Sequence, residues 1–214
     1  HILNQLSADF TYNELIENMS PIISKACLNL SEWDKMTYYV EKMESTNNED
    51  VYNINFYRAV ANIKEKKYEE AKVFIAKARN IIDDDLKTLL SESYGRAYKL
   101  LLENGHLYEL EEIISMNENS EKSFEIKKEQ LKIKWDQRLE NVEEEIDSYN
   151  RILAIRSLVF NLDEDYEHHL DLAKICRKED KFINCLHVLN RLNRKLDFNE
   201  KSVKIKVELN INKC

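Results

Sequence analysis

Residues 53–116, NINFYRAVANIKEKKYEEAKVFIAKARNIIDDDLKTLLSESYGRAYKLLLENGHLYELEEIISM, decide the fold. Within them Ala59, Tyr68, Ala71, Ile75 and Ala78 stand at offsets of zero, nine, twelve, sixteen and nineteen. The steps of three and four after Tyr68 place Ala71, Ile75 and Ala78 on one face of a helix. The wider step from Ala59 leaves room for a tight turn at Lys64–Lys67, so two antiparallel helices are expected on either side of it. Small side chains at 59, 71 and 78 let the backbones come close. Tyr68, just past the turn, is expected to pack between the helices.

The same arithmetic returns near the other end of the chain, where Ala173, Phe182, Cys185, Leu189 and Leu192 repeat the four offsets. Four bulky anchors, Trp33, Tyr68, Leu107 and Phe182, are separated by 35, 39 and 75 residues, the last interval leaving room for two units. Recurrence at this period is the pattern of the tetratricopeptide unit. The composition agrees: two glycines and one proline in 214 residues, with 34% charged residues, leave few places to turn a strand. The expected fold is all-α, an α-solenoid of tetratricopeptide-like antiparallel helix pairs with one longer helix.

Taken in order, His1–Asn18 reads as the tail of a preceding helix pair, with an apolar stripe of Phe10, Tyr12, Leu15, Ile16 and Met19. Ser20-Pro21 offers an N-cap followed by proline at the first helical position. A helix to about Leu30 then turns at Ser31-Glu32 and returns from Trp33 to Met43, and Thr46–Asp50 reads as a polar loop. Asp83-Asp84-Asp85 marks a helix junction, where carboxylates favour the next N-terminus. Gly95 lies inside the following helix, a place that close packing would explain, and Gly105 ends that helix at its C′ position. Asn117–Lys122 forms a polar break. From Ser123 to Asn161 the apolar residues run on without a breaker, which predicts one long helix, with Glu143-Glu144-Glu145 on its solvated face. Residues 201–206 alternate polar and apolar but are read as helix, because an all-α solenoid offers no partner strand.

The net charge of −8 argues against broad nucleic-acid or anionic-membrane binding, which need a dense positive surface. No apolar run approaches the length of a membrane span. The chain opens at His1 without a leader pattern and reads as an internal piece of a longer polypeptide. Cys27, Cys176, Cys185 and Cys214 show neither a CxxC nor a paired spacing with histidine, and are expected to be reduced, structural thiols of the cytosol or nucleus.

Catalysis needs a nucleophile with a base, paired carboxylates in a cleft, or a metal with an open position. None has a recognisable spacing here. His168 and His169 are adjacent and point about 100° apart on a helix, so they do not pair on one metal. His106 would follow a helix C-terminus, where a charged imidazole is favoured on structural grounds. His187 falls in a helix pair. Asp83–Asp85 lacks the glycine-turned loop of a calcium site. There is no GxxxxGK[ST] or GxGxxG loop, and the kinase trio of HRD, DFG and VAIK lysine is absent. No catalytic, cofactor-binding or metal-ligating residue is therefore assigned.

INFYRAV (54–60), AKARNIIDDDL (76–86), ESYGRAY (92–98), LYELEEII (107–114) and IRSLVFN (155–161), together with SEWDKM (31–36), resemble the FAT domain of the target-of-rapamycin (TOR) kinases. These belong to the phosphatidylinositol-3-kinase-related kinases. The likeness is clearest over 24–192, and the whole of 1–214 reads as part of a FAT domain. It implies a non-catalytic scaffold amino-terminal to a serine/threonine kinase domain, clamping and regulating that domain in nutrient and growth signalling. The parent polypeptide would be the kinase, with its ATP and magnesium held downstream. Implied partners are the kinase domain of the same chain, a Raptor- or Rictor-like subunit and a β-propeller subunit, in a homodimeric complex. The implied setting is cytoplasmic, with nuclear or endomembrane association through partners. A FAT domain of this kind is understood to bind inositol hexakisphosphate through scattered basic residues, two of them on the helix after RSLV. Here Glu167 and Asp171 fall at those positions, so weak or absent binding is expected. The alternative to a kinase segment is a free-standing repeat adaptor that binds peptides in a concave groove.

Overall fold

The computed structural model describes residues 16, 19–43, 48–92, 94–118 and 124–195. Every regular element among them is a helix, as the composition requires. They divide into two compact units, one reaching Phe124 and one starting at Glu125. The expectations for residues 1–15 and for 201–206 lie outside the described residues.

The first unit runs α1 (19–30), α2 (Trp33–Glu41), α3 (Asn48–Lys64), α4 (Tyr68–Glu92) and α5 (Tyr94–Glu118). Its centre is α3, which packs on α2, α4 and α5. Tyr52, Ile54, Phe56, Tyr57, Ala59, Val60, Ala61 and Ile63 are all buried, so this helix is apolar over most of its circumference, as one packed against three neighbours must be, with Asn55, Arg58 and Asn62 on the remaining stripe. Ala71, Ile75, Ala78 and Ile82 of α4 are buried at 1% exposure or less. The offset register therefore holds. Ser24, Met36, Val40 and Met43 are buried at the same offsets in the α1–α2 pair, the further unit that the turn at Ser31-Glu32 and Trp33 announced.

Three helices end in one device. Ser31, Lys66 and Asp180 adopt φ of 56°, 61° and 58°. In each case the next residue's N–H reaches back five residues: Glu32 to Cys27, Lys67 to Asn62, and Lys181 to Cys176, at 2.8–2.9 Å. The left-handed residue's own N–H bonds three back, to Leu28, Ile63 and Arg177 respectively. These are Schellman closures, a left-handed C′ residue satisfying the last carbonyls, built here without glycine. Trp33, Tyr68 and Phe182 each follow two residues later and open the next helix. Their place at the first helical position leaves them at the rim: Phe182 is 43% exposed and Tyr68 and Trp33 are half-buried, so the anchors do not pack between the helices as expected. Leu107 is no anchor, since it is fully buried in the middle of α5.

Several boundaries move. Asp83–Asp85 lies inside α4, because the buried row continues from Ala78 through Ile82 and carries the helix past the acidic run. Asp84 and Asp85 face solvent, and Lys87 pairs with Asp84. Gly105 does not end a helix, as α5 passes through it unbroken to Glu118, and the buried Leu107, Leu110, Ile113 and Ile114 follow on the same rod. Gly95 is exposed in the first turn of α5. Ser20 is already helical: its hydroxyl donates to the Ile16 carbonyl at 2.6 Å, a bond made from inside a helix, so it does not cap Pro21. Asn48–Asp50, expected in a loop, opens α3.

The 25-residue rods α4 and α5 form an antiparallel hairpin, each about 37 Å long. Arg79 grips Glu111 with two nitrogens at 2.8 and 2.9 Å, and Lys72 reaches Glu118 at 2.5 Å. Across the third face, the Tyr52 hydroxyl donates to the Glu103 carbonyl at 3.3 Å.

The second unit is α6 (Phe124–Leu139), α7 (Ile146–Arg156), α8 (Tyr166–Lys178) and α9 (Phe182–Lys195). The single helix expected over 123–161 is thus two, broken at 140–145. Three successive carboxylates repel one another inside a helix but are favoured ahead of an N-terminus, and Glu143–Glu145 sits where α7 begins. All three are exposed, and Glu144 pairs with Lys178. In α8–α9, Ala173, Cys185, Leu189 and Leu192 are buried at the expected offsets. Cys27 and Cys176 are free and buried, whereas Cys185 is disulfide-bonded, against the reduced thiols expected.

Candidate functional site: a buried arginine joint

Arg156 is the last residue of α7, in the apolar stretch LAIRSLVF, and its side chain is fully buried. A charge in that position is expensive unless it is paired and hydrogen-bonded. The chain supplies the partner nine residues on. Arg156 Nε donates to Asp165 Oδ1 and Oδ2 at 3.0 and 2.9 Å, and Nη2 donates to Asp165 Oδ1 at 2.6 Å. Nη2 also donates to Asp136 Oδ1 of α6 at 2.7 Å, and His168 Nε2 of α8 lies 2.9 Å from the same oxygen. One guanidinium thus ties α6 to the corner where α7 gives way to α8. Burial pulls this guanidinium down, but the Asp165 hydrogen bonds and the Asp165 and Asp136 charges outweigh it and hold it above its ordinary value.

The corner itself, 157–165, is clamped from α6. Lys128 Nζ meets both Glu164 carboxylate oxygens at 2.6 and 2.9 Å, and Lys132 Nζ donates to the Glu164 carbonyl at 2.8 Å. The Asn161 N–H donates to Glu164 Oε2 at 2.8 Å, closing the corner on itself. Burial alone would raise the Glu164 carboxyl, but Lys128 and the Asn161 N–H bring it below its usual range. Phe160 stands edge-on to the buried Trp135 at 5.9 Å, with the Arg156 guanidinium 5.3 Å from its ring. The outward side of the joint is therefore polar and its inward side aromatic.

Next to it, His169 is buried and held neutral: burial first, then the Arg191 charge, bring it down to about 4. The two adjacent histidines thus part company, His168 to the Asp136 carboxylate and His169 into the core. His106 is buried on α5 beside Phe56, not at a helix end, and His187 is exposed on α9. Among the described residues no group of three histidine, cysteine or carboxylate side chains is placed to hold a metal ion. None of the described helices is long and apolar enough to cross a membrane.

Chemically the joint has no nucleophile beside a base and no open coordination position. Arg156 Nε and Nη2 are spent on Asp165 and Asp136, while Nη1 is buried without a hydrogen-bond partner among the described residues, and the paired groups suit a device that fixes the angle between helices. Sequence reasoning assigned none of Arg156, Asp165, Asp136 or His168. The available signal was a lone arginine inside an apolar run followed by an acidic cluster at 163–165.

A family model described as FAT domain matches residues 24–210 of the chain. Among curated proteins, the chain is 31% identical to serine/threonine-protein kinase TOR2 of Saccharomyces cerevisiae over 187 residues, covering 86% of this chain and 7% of that protein. It is 29% identical to serine/threonine-protein kinase TOR of Oryza sativa over 189 residues, covering 81% and 8%. It is 32% identical to serine/threonine-protein kinase mTor of Drosophila melanogaster over 158 residues, covering 74% and 6%. The chain spans less than a tenth of the length of each of these relatives.

Proposed function

The chain belongs to the FAT domain family, and from that premise we propose that it is the helical brace of a TOR-like serine/threonine kinase, holding and restraining a kinase domain carried by the same longer polypeptide. The observation that carries this reading is the family match across 24–210, which takes in both helical units and the whole arginine joint. The physical character agrees. A long hairpin cross-linked by ion pairs, and a corner held by paired charges, suit an element that transmits position. In the parent polypeptide the phosphoryl transfer, with its ATP and magnesium, belongs to a separate domain.

The partners proposed are that kinase domain, a Raptor- or Rictor-like subunit and a β-propeller subunit, in a dimeric complex. The setting is the cytoplasm, with nuclear or endomembrane association reached through partners. Inositol hexakisphosphate is expected to bind weakly or not at all along α8. Glu167 is exposed there and Asp171 pairs with Lys174 at 2.5 Å, so the helix opposes a polyanion with carboxylates. Calorimetric affinity in the micromolar range or tighter would overturn that part alone.

The test of the main reading is made in the parent polypeptide. Arg156→Leu, which loosens the joint, is expected to change kinase activity and the recovery of the partner subunits, while the surface change Glu70→Ala leaves both as they were. Kinase activity and subunit recovery unaffected by Arg156→Leu, in a protein with a measurably loosened second unit, would contradict it.

A further inference from the structure

Gly105 has no structural use that the fold reveals. A Cβ built on it meets nothing within 4 Å, and its φ is not positive, so neither close approach nor left-handed geometry calls for glycine. It lies near the middle of a 25-residue helix, where glycine costs about 1 kcal/mol relative to alanine. The residue before it is Asn104, and this is the single Asn-Gly pair of the chain. In that pair no side chain hinders the backbone nitrogen from reaching the amide carbon of the asparagine.

We propose that Asn104–Gly105 is a self-modifying site, an asparagine that deamidates only when α5 opens. In the closed helix the Gly105 N–H is directed along the axis toward the carbonyl four residues back. It points away from the Asn104 side chain, whose Oδ1 accepts from Arg79 Nε at 3.4 Å. Opening one turn frees the nitrogen. It then gives its proton to solvent base and attacks Asn104 Cγ. The new C–N bond forms as the C–NH2 bond breaks, and ammonia leaves with a proton from water. Water next cleaves one of the two imide bonds, giving aspartate or isoaspartate, with nothing oxidised or reduced.

The products differ in whether the chain can return. Aspartate keeps the backbone and sets a carboxylate beside Arg79, which already holds Glu111. Isoaspartate adds a methylene to the backbone and shifts the register of Leu107, Leu110, Ile113 and Ile114, all of them buried beyond it. That form is excluded from the hairpin, so the site leaves a lasting mark of each opening.

The experiment incubates the chain in mildly alkaline buffer with and without urea. Conversion at 104 is followed by peptide mass spectrometry and isoaspartate by enzymatic methyl transfer, with Gly105→Ala as the control that folds at least as well. The unfolded chain is expected to convert at least about tenfold faster than the folded one, since closing of α5 limits the reactive population. Gly105→Ala is expected to suppress conversion in both states. Equal rates in the folded and unfolded chain, no conversion at Asn104 in urea, or isoaspartate in the refolded, protease-resistant fraction would each overturn the proposal.

Discussion

Arg156 and Asp165, nine residues apart, form an ion pair in which the guanidinium is fully buried and the carboxylate is 4% exposed. Neither charge is tolerable there without the other, because each would be left in a medium that cannot solvate it. The pair makes the α7–α8 corner conditional on both residues.

Arg156→Leu is accordingly expected to destabilise the second unit by about 3–5 kcal/mol, the usual cost of leaving a buried partner unpaired. Arg156→Leu combined with Asp165→Asn removes both charges and should cost clearly less than the sum of the two single changes. Urea denaturation of the four chains completes the cycle. Additive effects would mean that the two side chains are not coupled as their contacts state.

Stability should depend on pH through His169. Its folded value is down to about 4 from an ordinary 6.5, so between those limits the unfolded chain binds a proton that the folded one refuses. The contribution is present above pH 6.5 and is lost as pH falls toward 4, by up to about 3 kcal/mol at about 1.4 kcal/mol per pH unit. Denaturation midpoints measured across that range should fall with acidity. His169→Gln, which cannot charge, should flatten the fall, and an unchanged slope in that variant would assign the effect elsewhere. Glu164, held low by Lys128, adds a further loss once pH drops below the ordinary carboxylate range.

Two glycine exchanges should act in opposite chemical directions and both stabilise. Gly105→Ala meets open space in a helix of ordinary φ, and should gain about 1 kcal/mol. Lys66→Gly relieves a left-handed residue with φ of 61° at the end of α3, and should gain about 0.5–1 kcal/mol. Thermal melts check both. A loss for Gly105→Ala would show that something other than solvent covers that side of α5.

The core was legible wherever burial and spacing speak together. Ala71, Ile75 and Ala78, and again Cys185, Leu189 and Leu192, stand at the offsets that their sequence announces. Boundaries were less legible, because local signals compete with the continuing apolar row: Asp83–Asp85 looks like a junction but Ile82 keeps α4 intact, and Gly105 looks like a stop but Leu107 keeps α5 intact. In the opposite sense, the carboxylates at 143–145 broke a helix that periodicity would have continued. The stops at Ser31-Glu32 and Lys64–Lys67 were legible from spacing, but the device that closes them was hidden. Ser31, Lys66 and Asp180 hold the place where glycine would have signalled. The arginine joint could not be read from spacing at all, since its four polar residues come from three helices and a corner, and only packing brings Asp136 to Arg156.

The most direct test of the nested helix pairs sets Ala71 against its neighbour Glu70. Ala71 is fully buried between α3 and α4, and Glu70 faces solvent one residue away. Ala71→Glu should destabilise by several kcal/mol (~3 or more), because it forces an unpaired charge between close helices, whereas Glu70→Ala should shift stability by less than about 0.5 kcal/mol. The measurement is the denaturation midpoint of each variant beside the parent chain. A large loss confined to Ala71→Glu is the predicted result, and equal shifts for the two would contradict the register on which the brace is built.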